Sequence, residues 1–340
     1  MASVLVTGGA GYIGSHGVLR LARDGHEVVV VDNLVRGHRE AIAAVERATG
    51  TRVELVEGDA GDRALVEGVL RRRGVRDVMH FAALAYVGES VERPLEYYRA
   101  NTSAAIGLLE ACEAAGVERF VFSSTCATYG EPAAVPIAET CPQSPISPYG
   151  RSKLMVERVL ADVAESRRRA GGAFAYAALR YFNVAGCDRA GVVGEAHDPE
   201  THLVPIVLQA ALGLRDRVTI FGTDYATPDG TCVRDYIHVE DLIDAHVRVL
   251  GALRGVEERA YNLGIGRGHS VREIVSAAER VTGRRVPVVE GPRRAGDPPR
   301  LFADPGKIRR ELGWEARIRD LDEIIASAWN WLRAHPKGYA

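Results

Sequence analysis

The sequence predicts an α/β fold, a doubly wound parallel sheet with a smaller α/β lobe toward the C-terminus. Three observations predict it. A glycine-rich turn separates a short apolar run from a helical pattern near the N-terminus. A carboxylate closes the second apolar run. Apolar runs and helical patterns then alternate as far as residue 123.

The first run, Ser3–Thr7, suits a buried parallel strand. Gly8-Gly9-Ala10-Gly11-Tyr12-Ile13-Gly14 follows, and a helical pattern through Leu19 and Leu21 stops at Gly25. Glycines 9, 11 and 14 satisfy G-x-G-x-x-G, and glycines 8, 11 and 14 the wider G-x-x-G-x-x-G. Glycine is needed where the chain turns tightly and where backbone meets a pyrophosphate at a helix N-terminus. With a strand before and a helix after, this is the context of a Rossmann dinucleotide site. The second strand, 27–31, ends at Asp32, placed to accept from a ribose 2′-hydroxyl and to repel a 2′-phosphate. NAD is therefore favoured over NADP, although Arg36 and Arg39 stand close by.

Residues 53–56 read as the third strand, with Gly58-Asp59 at its end, where an adenine-edge contact fits. A helix through Leu65, Val66, Val69 and Leu70 leads to strand 77–81. A long helical pattern over 95–115 closes at Gly116, before strand Arg119–Ser123. Ligands in such sheets sit beyond the carboxyl ends of the strands. The polar clusters after Phe81 and after Phe122 fall there.

In Pro148-Tyr149-Gly150-Arg151-Ser152-Lys153, Tyr149 and Lys153 stand four apart before an apolar-periodic run, which puts both on one helix face. A tyrosine titrates near ~10 and is a poor base at neutral pH. A neighbouring ammonium favours its phenolate, as a general base requires. The hydroxyls of Ser123-Ser124-Thr125 either cap the next loop or bridge a substrate alcohol to Tyr149. After Asn183 the alternation loosens, as for a substrate lobe: helix 203–214, strand Val218–Phe221, helices 240–253, 271–281 and 320–332. The expected division is a dinucleotide domain over 1–183, with returning segments near 230–270, and a substrate lobe mainly over 184–340. Phe221 reads as a stacking platform or a core residue. Arg234 and Arg293-Arg294 offer grips for a diphosphate or are surface charges. Arg167-Arg168-Arg169 reads as a solvated helix end.

Composition bounds the function. A chain of 340 residues, 46% hydrophobic and 26% charged, can hold two soluble lobes. Its 43 Lys and Arg nearly balance 45 Asp and Glu, which gives no reason to expect nucleic acid. The N-terminus lacks a basic leader with a long apolar segment, so no signal peptide is expected, and no apolar run would cross a bilayer. Cys112, Cys126, Cys141, Cys187 and Cys232 are odd in number and show no C-x-x-C, which favours reduced thiols and a cytoplasmic location. No H-x-x-x-H pair occurs, so no metal is expected.

These residues together resemble the extended short-chain dehydrogenase/reductase family and, within it, the UDP-glucose 4-epimerases. The resemblance rests on the stretch 4–16, Val87-Gly88-Glu89-Ser90, Pro94 to Tyr98, Ser123-Ser124-Thr125 and Tyr149 to Lys153. It continues through Leu179-Arg180-Tyr181-Phe182-Asn183, Gly230-Thr231, Val233 to His238, Tyr261-Asn262-Leu263-Gly264 and Gly296-Asp297. It implies an isomerase that oxidises and re-reduces C4 of a UDP-sugar with tightly bound NAD. Tyr149 would be the base, Lys153 the residue that tunes it and holds the nicotinamide ribose, and Thr125 a proton shuttle. Cofactor contacts would come from Gly8, Gly11, Tyr12, Ile13, Gly14, Asp32, Asn33, Asp59, Ala60, Phe81, Ala82, Ala83, Asn101, Ser123 and Tyr181. Asn183, His202, Leu203, Phe221, Arg234, Arg294, Asp297 and Leu301 would hold the UDP-sugar. Ala85 stands where the family has a lysine on the pyrophosphate, and His202 and Ala100 replace asparagines. Leu301 falls where side-chain bulk gates N-acetylated sugars. The pair of helices 95–115 and 152–169 implies a homodimer. Xylose/arabinose or N-acetylglucosamine forms of the substrate stay open at this stage. A nucleotide-sugar 4,6-dehydratase needs a carboxylate pair where this chain has Cys126-Ala127, and a non-catalytic NAD sensor would lack the Tyr-Lys pair.

Overall fold

The computed structural model describes residues 3–294 and 297–339. Runs such as Val4-Leu5-Val6 and Val29-Val30-Val31 are buried throughout because helices cover both faces of the sheet they enter. That sheet is built from β1 (Ser3–Thr7), β2 (Glu27–Asp32), β3 (Glu54–Glu57), β4 (Asp77–His80), β5 (Arg119–Ser123), β6 (Ala175–Tyr181) and a last strand over Glu258–Leu263. From the last strand inward the order is Glu258–Leu263, β6, β5, β4, β1, β2, β3. β1 pairs in parallel with both β2 and β4, so the chain reverses its direction of winding there. This switch point is where an open α/β sheet leaves a crevice for a ligand.

The helices of this region are α1 (Tyr12–Arg23), α2 (Arg39–Thr49), α3 (Arg63–Arg73), α4 (Val87–Glu92), α5 (Pro94–Tyr97), α6 (Ala104–Ala115) and α7 (Pro148–Arg169). One core joins Leu5, Val31, Val78 and Phe120 of the sheet to Leu70 of α3, Leu108 of α6 and Leu160 of α7. The continuous helix expected over 95–115 is interrupted by a π-turn at Tyr98–Ser103. Wide turns of this kind occur mostly as single insertions in helices, frequently at functional sites. Here the turn carries Asn101, which is 2% exposed. Its amide donates to Leu84 O (2.9 Å) and Ser152 Oγ (3.1 Å) and accepts from Leu84 N (2.8 Å). It therefore braces the loop after β4 against α7.

The chain divides into two compact units. The first comprises Met1–Glu131, Cys141–Arg180 and Ile243–Tyr261, and the second Pro132–Thr140, Tyr181–Leu242 and Asn262–Ala340. Past α7 come β7 (Asn183–Ala185), α8 (Leu203–Leu212), β8 (Val218–Phe221), β9 (Val233–Arg234), β10 (Tyr236–His238), α9 (Val239–Ala252) and β11 (Glu258–Leu263). The chain ends with β12 (His269–Ser270), α10 (Val271–Thr282), β13 (Val288–Gly291), β14 (Arg300–Leu301), α11 (Gly306–Leu312) and α12 (Leu321–Ala334). The second unit's strands form small sheets: β10 with β7, β13 with β8, and β12-β9-β14. Its core joins Val207 and Leu208 of α8, Ile274 of α10, and Ile325 and Trp329 of α12. Asp235 ties its loops together by accepting from Ile265 N (2.8 Å), Gly266 N (3.1 Å) and Ala303 N (3.2 Å). α10 begins with a capping box between Ser270 and Glu273.

Candidate active site

Two positions, one in the turn after β1 and one in the first turn of α1, admit only glycine. Gly8 has φ 70°, and a Cβ there would stand 2.5 Å from Ala82 N. A Cβ on Gly14 would stand 2.0 Å from Gly8 O. No side chain caps α1 at Gly11, the arrangement in which backbone N–H groups and the helix dipole hold a pyrophosphate. At the end of β2, Asp32 is buried and accepts from Ala10 N (2.9 Å) and Leu34 N (2.8 Å). Burial raises its pKa, and these two bonds oppose that. Each of its oxygens keeps acceptor capacity, which suits a ribose hydroxyl. The residues present thus fit a dinucleotide.

The other expected cofactor contacts lie at the carboxyl ends of strands of the same sheet. Asn33 Oδ1 accepts from Val35 N (3.2 Å). Asp59 Oδ1 accepts from Gly61 N (2.7 Å), and the neighbouring Ala60 is buried. Phe81 and Ala82 both donate their N–H to Thr7 O, at 3.0 and 3.1 Å, and lead into the half-buried Ala83. Tyr12 and Ile13 open α1, and Tyr181 closes β6.

Tyr149 and Lys153 sit in the first turns of α7. Pro148 pre-sets the start of that helix, and Ser147 Oγ caps it by accepting from Gly150 N (3.1 Å). Tyr149 is 8% exposed, with the Tyr97 ring edge-on at 6.4 Å between centroids. Lys153 is 3% exposed; its Nζ donates to Ser123 O (2.9 Å) and lies 4.9 Å from the Phe122 ring centroid. Burial pushes this ammonium down to about 7, and the charge of Glu157 works in the other direction. Thr125 begins the short turn Cys126–Thr128, where its Oγ1 accepts from Ala127 N (3.1 Å), leaving the hydroxyl proton to donate. His80, joined through Nδ1 to Thr7 Oγ1 (2.7 Å), is pushed down to about 3 by burial and by Lys153, so its ring is neutral.

Sequence reasoning missed the support behind Lys153. Glu157, one turn further along α7, accepts from Arg180 Nη2 (2.6 Å) and Nε (3.0 Å). Ser124 Oγ, Gln143 Nε2 and the Tyr129 hydroxyl complete this buried network. The available signal was a glutamate four residues after Lys153, together with an arginine among buried strand residues, where a charge requires a partner.

In the second unit the expected nucleotide contacts are carried by β7, β8, β9 and β14 and the segment after β13. Arg234 pairs with Asp297 and donates to Val233 O (2.9 Å). Leu301 is its register partner across the two strands. The Arg294 guanidinium lies 4.0 Å from the Phe221 ring centroid, at the end of β8. Asn183 donates its N–H to Asp235 O (3.0 Å). His202 and Leu203 lie elsewhere, at the N-cap and first position of α8. The His202 ring stands with His197, Glu195 and Glu200 in a four-residue cluster. The sequence search missed this cluster because it sought histidines on one helix face.

A glycine turn at the sheet's switch point, with a buried phenol and ammonium on the helix after β5, is the arrangement of a dinucleotide-dependent enzyme. The chain belongs to the NAD dependent epimerase/dehydratase family, whose profile matches residues 4–264. It is 48% identical over 340 residues to a UDP-glucose 4-epimerase of Lacticaseibacillus casei, covering 99% of this chain and 98% of that protein. It is 45% identical over 342 residues to a probable UDP-arabinose 4-epimerase of Oryza sativa subsp. japonica, covering 99% of this chain and 83% of that protein. The crystal structure of a UDP-glucose 4-epimerase from Stenotrophomonas maltophila, with bound NAD and formylated UDP-arabinopyranose, superposes with a TM-score of 0.94 at 44% identity over 99% of both chains.

Proposed function

We propose that this chain is an NAD-dependent UDP-glucose 4-epimerase that interconverts UDP-glucose and UDP-galactose through a 4-keto intermediate. The observation that carries this reading is the buried Tyr149–Lys153 pair at the start of α7, within a dinucleotide fold. NAD, when bound, takes the hydride from C4 of the sugar and returns it to the opposite face. Tyr149 removes the 4-hydroxyl proton, directly or through the Thr125 hydroxyl, and gives it back in the second half-reaction. Lys153 supports the phenolate by its charge, and Glu157 helps keep that charge in place. Arg234, Arg294 and Phe221 hold the uridine diphosphate, and the sugar stays loosely gripped so that its keto form can turn over. The turn Cys126–Thr128 supplies no acid and base for removing water, which disfavours 4,6-dehydration.

A UDP-pentose substrate is the second reading, favoured by the similarity to the probable UDP-arabinose 4-epimerase of Oryza sativa subsp. japonica. One assay separates the two. Dialysed protein is incubated with UDP-glucose, UDP-xylose, UDP-N-acetylglucosamine and UDP-glucuronic acid, and the products are resolved. UDP-galactose as the fastest product supports the first reading, and UDP-arabinose the second. A 4-keto-6-deoxy sugar, or no conversion, overturns both.

The chain acts as a cytoplasmic homodimer in this proposal. Ile106 of α6 (41% exposed), Met155 of α7 (43%) and Leu95 of α5 (77%) give the dimer an apolar surface to cover. No helix among the described residues is long and apolar enough to cross a membrane, and no disulfide joins the cysteines.

A further inference from the structure

Between β7 and α8 the stretch 186–202 contains neither helix nor strand, yet Asp188, Val193, Glu195 and Glu200 within it are buried. Loops longer than about 12–15 residues without regular structure are uncommon in compact domains unless they serve a function. At its end Glu195, His197, Glu200 and His202 turn their ligand-type atoms toward one another, all within 4.8 Å. The side chains of Glu195 and Glu200 are each 4% exposed. Two carboxylates removed from water at that separation need a cation.

The distances suit a small four-coordinate cation. Glu195 Oε1 stands 3.3 Å from His197 Nδ1 and 3.2 Å from His202 Nδ1. Glu200 stands 3.4 Å from His197 Nδ1 through Oε2 and 2.8 Å from His202 Nδ1 through Oε1. Each ring nitrogen thus faces two carboxylate oxygens, whereas one N–H proton serves one of them. Glu195 Oε1 accordingly makes no hydrogen bond despite its burial. A tetrahedron of zinc ligands with bonds of about 2.0–2.1 Å has edges of about 3.3–3.4 Å, close to three of these four separations. Two imidazoles and two carboxylates are ligands that zinc accepts, and their two charges balance Zn²⁺. Glu200 is further fixed by accepting from Thr201 N and His202 N, each at 2.7 Å, the kind of outer support that orients metal ligands.

We propose that Glu195, His197, Glu200 and His202 form a four-coordinate site for a divalent transition metal, zinc first, that fastens the 186–202 stretch to the start of α8. The metal has a structural role, since the four side chains fill its coordination and leave no position for a reacting water. Because His202 and Leu203 adjoin, the metal also sets the position of the helix end assigned above to the UDP-sugar. The metal-free rival is a cluster of two imidazolium–carboxylate pairs.

The test uses the full chain, dialysed against a strong chelator and then titrated with Zn²⁺ by calorimetry and elemental analysis. The expected result is one zinc per chain, a raised thermal midpoint, and zinc affinity at least about 100-fold weaker in His197→Ala. Co²⁺ in place of Zn²⁺ should give the intense visible absorption of a four-coordinate centre, a readout on the unaltered chain that does not depend on how the variant folds. Sub-stoichiometric uptake, an unmoved midpoint, a six-coordinate Co²⁺ spectrum, or zinc retained equally by His197→Ala would each overturn the proposal.

Discussion

Arg180 and Glu157 in the first unit have side chains 8% and 7% exposed, whereas Arg234 and Asp297 in the second are 12% and 31% exposed. Both are arginine–carboxylate pairs, but their surroundings differ. The first is enclosed by Ser124, Gln143 and Tyr129, whose polar groups take up its remaining hydrogen bonds. The second is held by Arg234 on the middle strand of a small sheet, with Arg294 on Phe221 in the same unit. A pair sealed in this way holds neighbouring groups in one geometry, as a proton-transferring phenol requires. A pair that water can reach exchanges partners at low cost, as a ligand handle must. In the proposed reaction the base stays fixed while the sugar moves, and the two pairs match those opposite needs.

Four experiments test this contrast. The largest effect is expected from Tyr149→Phe, which removes the proposed proton carrier and leaves the glycine turn untouched. Turnover should fall roughly a thousandfold, while NAD measured after denaturation stays near one per chain. Retained turnover would remove Tyr149 from the role of base. Glu157→Gln comes next, because it leaves the Arg180 guanidinium buried without its carboxylate. Stability in urea should drop by about 3–5 kcal/mol, and the loss of the Glu157 charge should let Lys153 deprotonate at a lower pH than the wild-type value of about 7. A variant as stable as the parent would show that the sealed pair fixes nothing.

The handle is tested by Arg294→Ala, which should raise KM for the UDP-sugar about tenfold with kcat nearly unchanged, the pattern of lost uniform binding. A fall in kcat alone would move Arg294 from handle to reaction centre. The last experiment concerns pH. Lys153 is lowered in the folded chain from 10.5 to about 7, so between those values the unfolded chain holds a proton that the folded one has released. Lys153 therefore contributes a rise in stability with pH across that window. Urea midpoints of dinucleotide-stripped protein at pH 7 and pH 9 should show this rise, and Lys153→Met should flatten it.

The parts of the fold legible in the sequence are those fixed by short-range chemistry. The glycine turn, Asp32 at a strand end, and Pro148 with Tyr149 and Lys153 each declare themselves within a few residues. The strand Ala175–Tyr181 did not, because alanine has little β-propensity and the run lacks alternation; its burial in the sheet decides its conformation. The Glu157–Arg180 pair joins residues 23 apart in sequence, and no local pattern marks it. The cluster at 195–202 follows loop geometry rather than helical spacing, so a search at i, i+4 passes over it. The π-turn is silent for a different reason: it contains no glycine or proline to mark a break, and only the Asn101 amide, bonded to a distant loop, marks the change.

That wide turn also makes chain length a constraint. Each residue of an α-helix advances the next by about 100°, so one residue removed between 98 and 103 would re-aim everything downstream in α6. Ala105, Leu108, Leu109 and Cys112, now buried, would swing away from the sheet together. Point substitutions in this segment should be absorbed far more readily than a single-residue deletion.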